Sequence, residues 1–169
     1  YLLNLNMNKI FLNNIFTSGE AALQALKENN YGKKFYHIGP KRDKDLIEGF
    51  EKNKTSIEKC EFILCTGLFE NEENSIDYYK SLFEKYTNKK MICTNPDLIV
   101  HRGDKSEYCA GTLALAFEEL GGSVVYFGKP YPEIYNFCVK KNENILAIGD
   151  NLRTDIKGAN NMKFNSLFI

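Results

Sequence analysis

Short apolar runs alternate with longer amphipathic stretches along the whole chain, and this alternation limits the fold more than any other feature of the sequence. The apolar runs predict buried strands, and the stretches between them carry apolar residues at helical spacing. Continuously apolar strands joined by helices are typical of a parallel α/β architecture. The predicted strands are 34–38, 61–66, 90–93, 124–127, 145–148 and 166–169, and the predicted helices are 19–29, 43–51, 75–86, 106–120, 132–140 and 154–161.

The composition excludes several classes of function. Among 169 residues, 22 basic and 22 acidic side chains cancel to a formal net charge of +0, which leaves no electrostatic footprint for nucleic acid or for an anionic membrane. Apolar residues make up 43% of the chain, which is enough for a packed core. No apolar run approaches the roughly 20 residues of a membrane-spanning helix. The five cysteines form no C-x-x-C pair, so we expect no zinc ribbon, no disulfide framework and a reducing compartment such as the cytoplasm.

The two ends of the sequence predict a fragment. The chain begins with Tyr1 rather than Met, and residues 165–169 have the pattern of a buried strand with no turn or polar tail after it. Because natural termini are usually solvated, we expect that sequence is missing on both sides and that the missing part can hold essential chemistry.

A lysine directly after the strand 124–127 is the first candidate binding residue. Lys129 lies between Gly128 and Pro130, which hold its backbone in place. Ligands of open α/β sheets bind beyond the carboxyl ends of the strands, and a fixed ammonium group suits a phosphate oxygen. The alternative is a surface turn that happens to contain a lysine.

Two carboxylates after the next strand are the second candidate. Asp150 follows the strand 145–148 after a glycine, and Asp155 lies at the start of a predicted helix that Thr154 would cap. A loop of that length brings both carboxylates toward one point, which suits Mg²⁺, an ion commonly held by one or two carboxylates and several waters. In the alternative, Asp150 opens a turn and Asp155 only stabilises the helix N-terminus. With Lys129 at the preceding strand end, the order favours a phosphate and magnesium site.

These segments resemble motifs III and IV of the haloacid dehalogenase (HAD) superfamily, with GKP at 128–130 and GDNLRTDI at 149–156. They are similar in particular to the class IIA branch, the NagD-like phosphatases. Further similar segments are TSGEAA at 17–22, TNPD at 94–97, RG at 102–103 and CAGTLA at 109–114. The resemblance implies a Rossmann-like hydrolase core, with residues 1–30 and 111–169, that is interrupted by a class IIA α/β cap at residues 31–110.

The resemblance also implies an activity and the residues that carry it. Enzymes of this superfamily hydrolyse phosphate monoesters through a phosphoaspartyl intermediate with Mg²⁺. The metal and an ammonium group together stabilise charge on the transferring phosphoryl group. By position in these motifs, the resemblance implies that Lys129 is catalytic and that Asp150 and Asp155 bind Mg²⁺. It also implies that Asn95, Asp97 and Asn151 bind substrate, with Asn95 and Asp97 on a cap loop that faces the leaving group.

The chain departs from the family pattern at the nucleophile. Motif I, an Asp-x-Asp-type segment, supplies the nucleophile and the acid/base, and motif II supplies a Ser or Thr for the phosphate; both should precede the cap. Too little sequence precedes Thr17 to hold motif I. Asp43 and Asp45 have the right spacing, but Leu46 and Ile47 follow them where motif I has a glycine-rich turn. We therefore interpret Asp43 as a helix N-terminus in the cap, and expect the nucleophile and the motif II residue to lie outside this chain.

The predicted function is the Mg²⁺-dependent hydrolysis of a small phosphorylated metabolite. The alternative is a non-catalytic domain that binds phosphate and Mg²⁺ but has no nucleophile. A weaker alternative is an unrelated doubly wound fold such as a response-regulator receiver, against which TNPD at 94–97 argues. The sequence does not distinguish a sugar phosphate from a nucleotide or a phosphoglycolate-like acid, and it leaves open whether the protein forms a homo-oligomer.

We expect residues 1–169 alone to turn over no phosphate ester, because the nucleophile segment is missing, and we expect the gene product with that segment to be active. The release of p-nitrophenolate from p-nitrophenyl phosphate measures both activities. Turnover by residues 1–169 alone would contradict the assignment of the nucleophile to a preceding segment.

Overall fold

The computed structural model describes residues 4, 6–70, 75–103, 105–140 and 143–169. Helices of the 3₁₀ type cover Lys9–Asn14, Lys41–Ile47 and Glu51–Asn53, and a π-helical turn covers Leu152–Ile156. The strands are β1 (Phe35–Ile38), β2 (Phe62–Cys65), β3 (Lys90–Cys93), β4 (Ile99–Arg102), β5 (Lys105–Tyr108), β6 (Ser123–Tyr126), β7 (Leu146–Gly149) and β8 (Asn165–Phe168). The α-helices are α1 (Ser18–Lys27), α2 (Ile76–Phe83), α3 (Ala110–Glu119), α4 (Pro132–Cys138) and α5 (Lys157–Met162).

A four-stranded sheet in the order β1-β2-β3-β6 forms the centre of the molecule. All of its pairs are parallel, and their last residues are aligned: Ile38 lies opposite Cys65, Cys65 opposite Cys93, and Cys93 opposite Tyr126. The carboxyl ends of the four strands therefore meet at one level edge. This parallel sheet with intervening helices confirms the predicted α/β class.

Helices cover both faces of this sheet, as continuously apolar strands require. On one face, α2 and α3 bury Tyr79, Phe83 and Phe117 against the sheet. On the other face, α1 and α4 pack with residues that include Leu26 and Ile134. The core is thus a helix–sheet–helix sandwich.

Two smaller sheets complete the described part of the chain. Strands β4 and β5 form an antiparallel hairpin directly after the β3 loop. Strands β7 and β8 form a parallel pair joined by the π-helical turn and α5. This second α/β unit packs on the first through α4, where the rings of Tyr135 and Phe164 meet edge to face with their centroids 5.8 Å apart. Just before α4, the Pro130 carbonyl accepts from the Asn161 side chain at 3.1 Å.

Helix boundaries differ from the predictions where side chains or strand pairing intervene. The predicted helix 106–120 begins only at Ala110, because residues 105–108 pair as β5 with β4. The predicted helix 43–51 is two short 3₁₀ turns. Helix α1 is capped by Thr17, whose hydroxyl accepts from the Glu20 backbone N–H at 3.1 Å while the Glu20 carboxylate accepts from the Thr17 N–H at 3.0 Å.

All five cysteines are free thiols in this structure. Among the residues that the structure describes, no helix combines the length and the apolar character needed to cross a membrane.

Replacing Leu113 by Ala should lower the free energy of unfolding by about 2–5 kcal/mol, because this side chain is 0% exposed in the core and its removal leaves a cavity. Leu115 is the matched control on the same helix, since its side chain is 44% exposed, and Leu115→Ala should cost under about 0.5 kcal/mol. Urea unfolding of both variants measures the difference. Equal losses would contradict the orientation of α3.

Candidate active site

Loops that follow β3, β6 and β7 meet at a cavity of about 600 Å³, which we call the Lys129 cavity. Ligands of α/β sheets bind in such a position, beyond the carboxyl ends of the strands. The structure brings all six predicted site residues to this one cavity: Asn95, Asp97, Lys129, Asp150, Asn151 and Asp155. Their roles remain predictions.

The close approach of the β3 and β6 loops depends on the pairing of these strands and on Gly128. The Phe127 N–H donates to the Cys93 carbonyl at 2.8 Å, which continues the pairing past the end of β6. Gly128 then has φ +129°, a conformation that favours glycine, and a Cβ at this position would overlap the ring of Pro96. As a result, Lys129 lies beside the loop that carries Asn95.

An ion pair between Lys129 and Asp155 lies in the wall of this cavity. The Asp155 side chain is 11% exposed, whereas that of Lys129 is 52% exposed. The second carboxylate oxygen of Asp155 accepts from the Asn151 backbone N–H at 3.2 Å. Because an ammonium group has three N–H donors, Lys129 can bind Asp155 and still donate to a ligand oxygen in the cavity.

Asn151 orders the loop between Asp150 and Asp155, and Thr154 does not cap the following helix as predicted. The Asn151 side-chain oxygen accepts from the backbone N–H groups of Arg153 at 2.8 Å and Thr154 at 3.3 Å. It caps a π-helical turn rather than the start of the predicted helix 154–161, and α5 begins at Lys157. This turn points Asp155 back toward the end of β7, where a Cβ at Gly149 would overlap its side chain.

The carboxylate oxygens of the Lys129 cavity suit a hard cation that keeps most of its coordinated water molecules. Asp150 is exposed and Asp155 supplies a second carboxylate at the same cavity. No group of three or more His, Cys, Asp or Glu side chains suited to a metal occurs within the described ranges. Two carboxylates with room for water are the protein ligands that Mg²⁺ commonly uses, so these residues fit Mg²⁺ better than they fit zinc.

Several residues of the cavity were not predicted from the sequence. Ser18 reaches it from the first turn of α1, and Phe16 lines it just before that turn. Tyr135 and Cys138 reach it from α4. Burial, followed by the negative charge of Asp155, raises the pKa of Tyr135, so its hydroxyl stays protonated at neutral pH. Helix α4 follows Lys129 closely in the chain, and this was the only feature of the sequence from which its residues could have been predicted to line the cavity.

Asp43 and Asp45, which share the spacing of motif I, lie in the 3₁₀ helix Lys41–Ile47 after β1. Asp43 lines a different cavity, and neither residue lines the Lys129 cavity. This position agrees with the interpretation of the segment as a helix N-terminus rather than a nucleophile.

The carboxy-terminal part of the chain is similar to a known protein family. Residues 126–169, which include Lys129 and both aspartates, match the model of the HAD-hydrolase-like family. No curated protein sequence matches the chain.

Solved structures extend the similarity to most of the chain. A hydrolase of the haloacid dehalogenase-like family from Brucella suis 1330 is 32% identical, with a TM-score of 0.77 over 91% of this chain and 63% of that chain. A putative nagD protein is 25% identical, with a TM-score of 0.66 over 90% of this chain and 61% of that chain. A double mutant of the thermostable NPPase from Geobacillus stearothermophilus is 21% identical, with a TM-score of 0.67 over 91% of this chain and 63% of that chain, and shares the fold.

The chain spans less than two thirds of the length of these relatives, 63% in the case of the Brucella protein. Its parallel α/β fold, its loop geometry at the strand ends and the two matches agree with one another. The chain is therefore similar to the haloacid dehalogenase-like hydrolases over most of its length, and its similarity to a putative nagD protein agrees with the NagD-like branch.

Proposed function

We propose that the protein is a Mg²⁺-dependent phosphatase that hydrolyses monoesters of a small phosphorylated metabolite. One observation carries the proposal: an ammonium group, Lys129, and two carboxylates, Asp150 and Asp155, line a single cavity at the carboxyl ends of parallel strands. Phosphoryl transfer requires mainly positioning and charge stabilisation from the protein, and these groups supply both.

Lys129 is the residue that binds the phosphoryl group in this proposal. Its ammonium group is held on one side by the Asp155 carboxylate, so its direction is set before a ligand arrives. The remaining N–H donors point to oxygens of the ester, whose negative charge they stabilise as the bond to the leaving group breaks. Asp155 thus acts partly as a positioning residue for Lys129.

Asp150 and Asp155 would hold Mg²⁺, which supplies charge stabilisation to the phosphoryl oxygens when it is bound. The Asn151 backbone N–H fixes one Asp155 oxygen at 3.2 Å, which limits the rotation of that carboxylate. The phosphoaspartyl step that the family resemblance implies needs a further carboxylate, and we assign no residue of this chain to it.

Asn95, Asp97 and Asn151 would contact the substrate at the rim of the cavity. The Asn95 side-chain oxygen accepts from the Asp97 backbone N–H at 3.1 Å, which orders the loop after β3. The oxygen of Asn151 is occupied by its capping bonds, so only its amide N–H₂ group is available to a ligand.

The set of strands in the central sheet is the basis on which we propose where the cap ends and the core resumes. We predicted a boundary at 110/111, but β6 and α3 pack with β1, β2 and β3 in one sandwich. We therefore propose that the cap extends to Tyr126 and that the core resumes with the loop that carries Lys129. This division puts the Lys129 cavity at the junction of the two parts.

Replacing Lys129 by Ala in the full-length gene product should lower kcat for p-nitrophenyl phosphate by about 10²–10³, because one preorganised donor to the developing charge is lost. Lys157 is the matched control, since it is exposed at the start of α5 and does not line the cavity. Steady-state kinetics at saturating Mg²⁺ compare the two variants. If the wild-type protein hydrolyses no ester but binds phosphate, and Lys129→Ala weakens that binding, the non-catalytic binding function is correct instead.

Replacing Asp150 by Asn should raise the Kd for Mg²⁺ about tenfold or more, because one carboxylate ligand becomes a neutral amide. Isothermal titration of the chain with MgCl₂ measures this directly, and the rate of the full-length enzyme should fall in parallel. Asp77→Asn, an exposed substitution on α2, is the control. Equal Mg²⁺ affinities of the two variants would remove Asp150 from the metal site.

A further inference from the structure

The ion pair between Lys129 and Asp155 joins two parts of the chain that form different sheets. Lys129 lies on the loop between β6, of the central sheet, and α4. Asp155 lies on the π-helical turn between β7 and α5, in the second α/β unit. The position of Asp155 relative to Lys129 therefore depends on how α5 packs against α4.

The π-helical turn runs into α5 without a break, so the position of α5 sets the position of Asp155. The backbone N–H of Lys157, the first residue of α5, donates to the carbonyls of Leu152 and Thr154 within the turn. The Asp155 side chain also packs tightly against Gly149 at the end of β7, where a Cβ would overlap it. Asp155 thus has little room to adjust if α5 shifts.

Tyr135 on α4 contacts both ends of α5. Its hydroxyl group lies so close to Gly158, in the first turn of α5, that a Cβ at this position would overlap the hydroxyl oxygen. Gly158 is buried and lies in a regular α-helix, so glycine is required here for space rather than for backbone conformation. At the other end of α5, the Tyr135 ring meets the Phe164 ring edge to face, with the centroids 5.8 Å apart.

A hydrogen bond adds a second link between α5 and the Lys129 loop. The Asn161 side chain donates to the carbonyl of Pro130, the residue after Lys129, at 3.1 Å. This bond is exposed, so water competes for both of its groups. Tyr135 is partly buried, and aromatic rings contribute a large contact area. The Tyr135 side chain therefore contributes more than this hydrogen bond to the packing of α5.

We propose that Tyr135 is a positioning residue, which holds Asp155 in place beside Lys129 for the binding of Mg²⁺ by packing against Gly158 and Phe164. The proposal rests on the proposed function, because only there does Asp155 bind Mg²⁺. Tyr135 acts on the metal site through α5 and is assigned no contact with the reacting atoms. Loss of its packing should leave the fold in place and lower the affinity for Mg²⁺.

Isothermal titration with MgCl₂ compares Tyr135→Leu with Phe137→Leu in the 169-residue chain. Tyr135→Leu should raise the Kd for Mg²⁺ about tenfold, the usual scale for residues that orient metal ligands. Phe137 is the matched control, because it is also a partly buried aromatic residue of α4, and its ring packs edge to face on Phe16 at a centroid distance of 5.5 Å. Phe137→Leu should leave the Kd unchanged, and thermal unfolding checks that both variants fold. Equal Kd values would overturn the proposal.

Gly158→Ala tests the same contact from α5, also where Tyr135→Leu fails to fold. Alanine favours a helix over glycine, so the substitution does not weaken α5 itself, but its methyl group would overlap the Tyr135 hydroxyl. It should raise the Kd for Mg²⁺ about tenfold with Tyr135 in place. In a Tyr135→Phe background, where the hydroxyl is absent, the increase should be smaller. The same increase in both backgrounds would show that the hydroxyl contact does not position Asp155.

The backbone amide resonance of Asn151 separates this proposal from the proposed function. Its N–H donates to an Asp155 oxygen at 3.2 Å, so its chemical shift reports the position of the carboxylate without any metal. Tyr135→Leu, but not Phe137→Leu, should move this resonance in ¹H–¹⁵N spectra of the metal-free chain. If it moves and the wild-type chain binds no Mg²⁺, the proposed function fails and the positioning of Asp155 stands. If the chain binds Mg²⁺ but Tyr135→Leu changes neither the resonance nor the Kd, the positioning fails and the function stands.

Discussion

The parallel pairing of β3 with β6 is the constraint on which the Lys129 cavity depends. Because Cys93 lies opposite Tyr126, the two strands end level and their loops leave the sheet side by side, at the strand spacing of about 4.8 Å. One loop carries Asn95 and the other carries Lys129. A shift of this pairing by one residue would turn the apolar side chains of β6 to the opposite faces and separate the two loops.

The Lys129–Asp155 ion pair affects both the stability of the fold and the position of the Lys129 ammonium group. A buried carboxylate without a partner costs several kcal/mol, of the order given for unpaired buried charges. Asp155 avoids this cost through Lys129 and through the Asn151 backbone N–H. The same contacts that make its burial tolerable also set the direction of the ammonium group. The Lys129 ammonium group is therefore positioned by folding and not by a ligand.

The Lys129 cavity holds more carboxylates than cationic groups, since Asp97, Asp150 and Asp155 line it together with Lys129. Asn95 and Asp97 reach it from the loop after β3, which is ordered by the hydrogen bond between the Asn95 side chain and the Asp97 backbone. The net charge of +0 for the whole chain conceals this local excess of negative charge.

The sequence by itself determined the class of the fold, most of its strands and the charged residues that meet at the Lys129 cavity. Strand β3 was predicted at its observed bounds, because apolar runs between turn residues reveal buried strands, and Lys129, Asp150 and Asp155 stood out because each follows such a run. Only the tertiary structure decided what depends on contacts between distant segments. The hairpin β4–β5 was missed because its residues are mostly exposed and polar, and β6 joined the strands of the predicted cap because sheet membership is a matter of pairing partners.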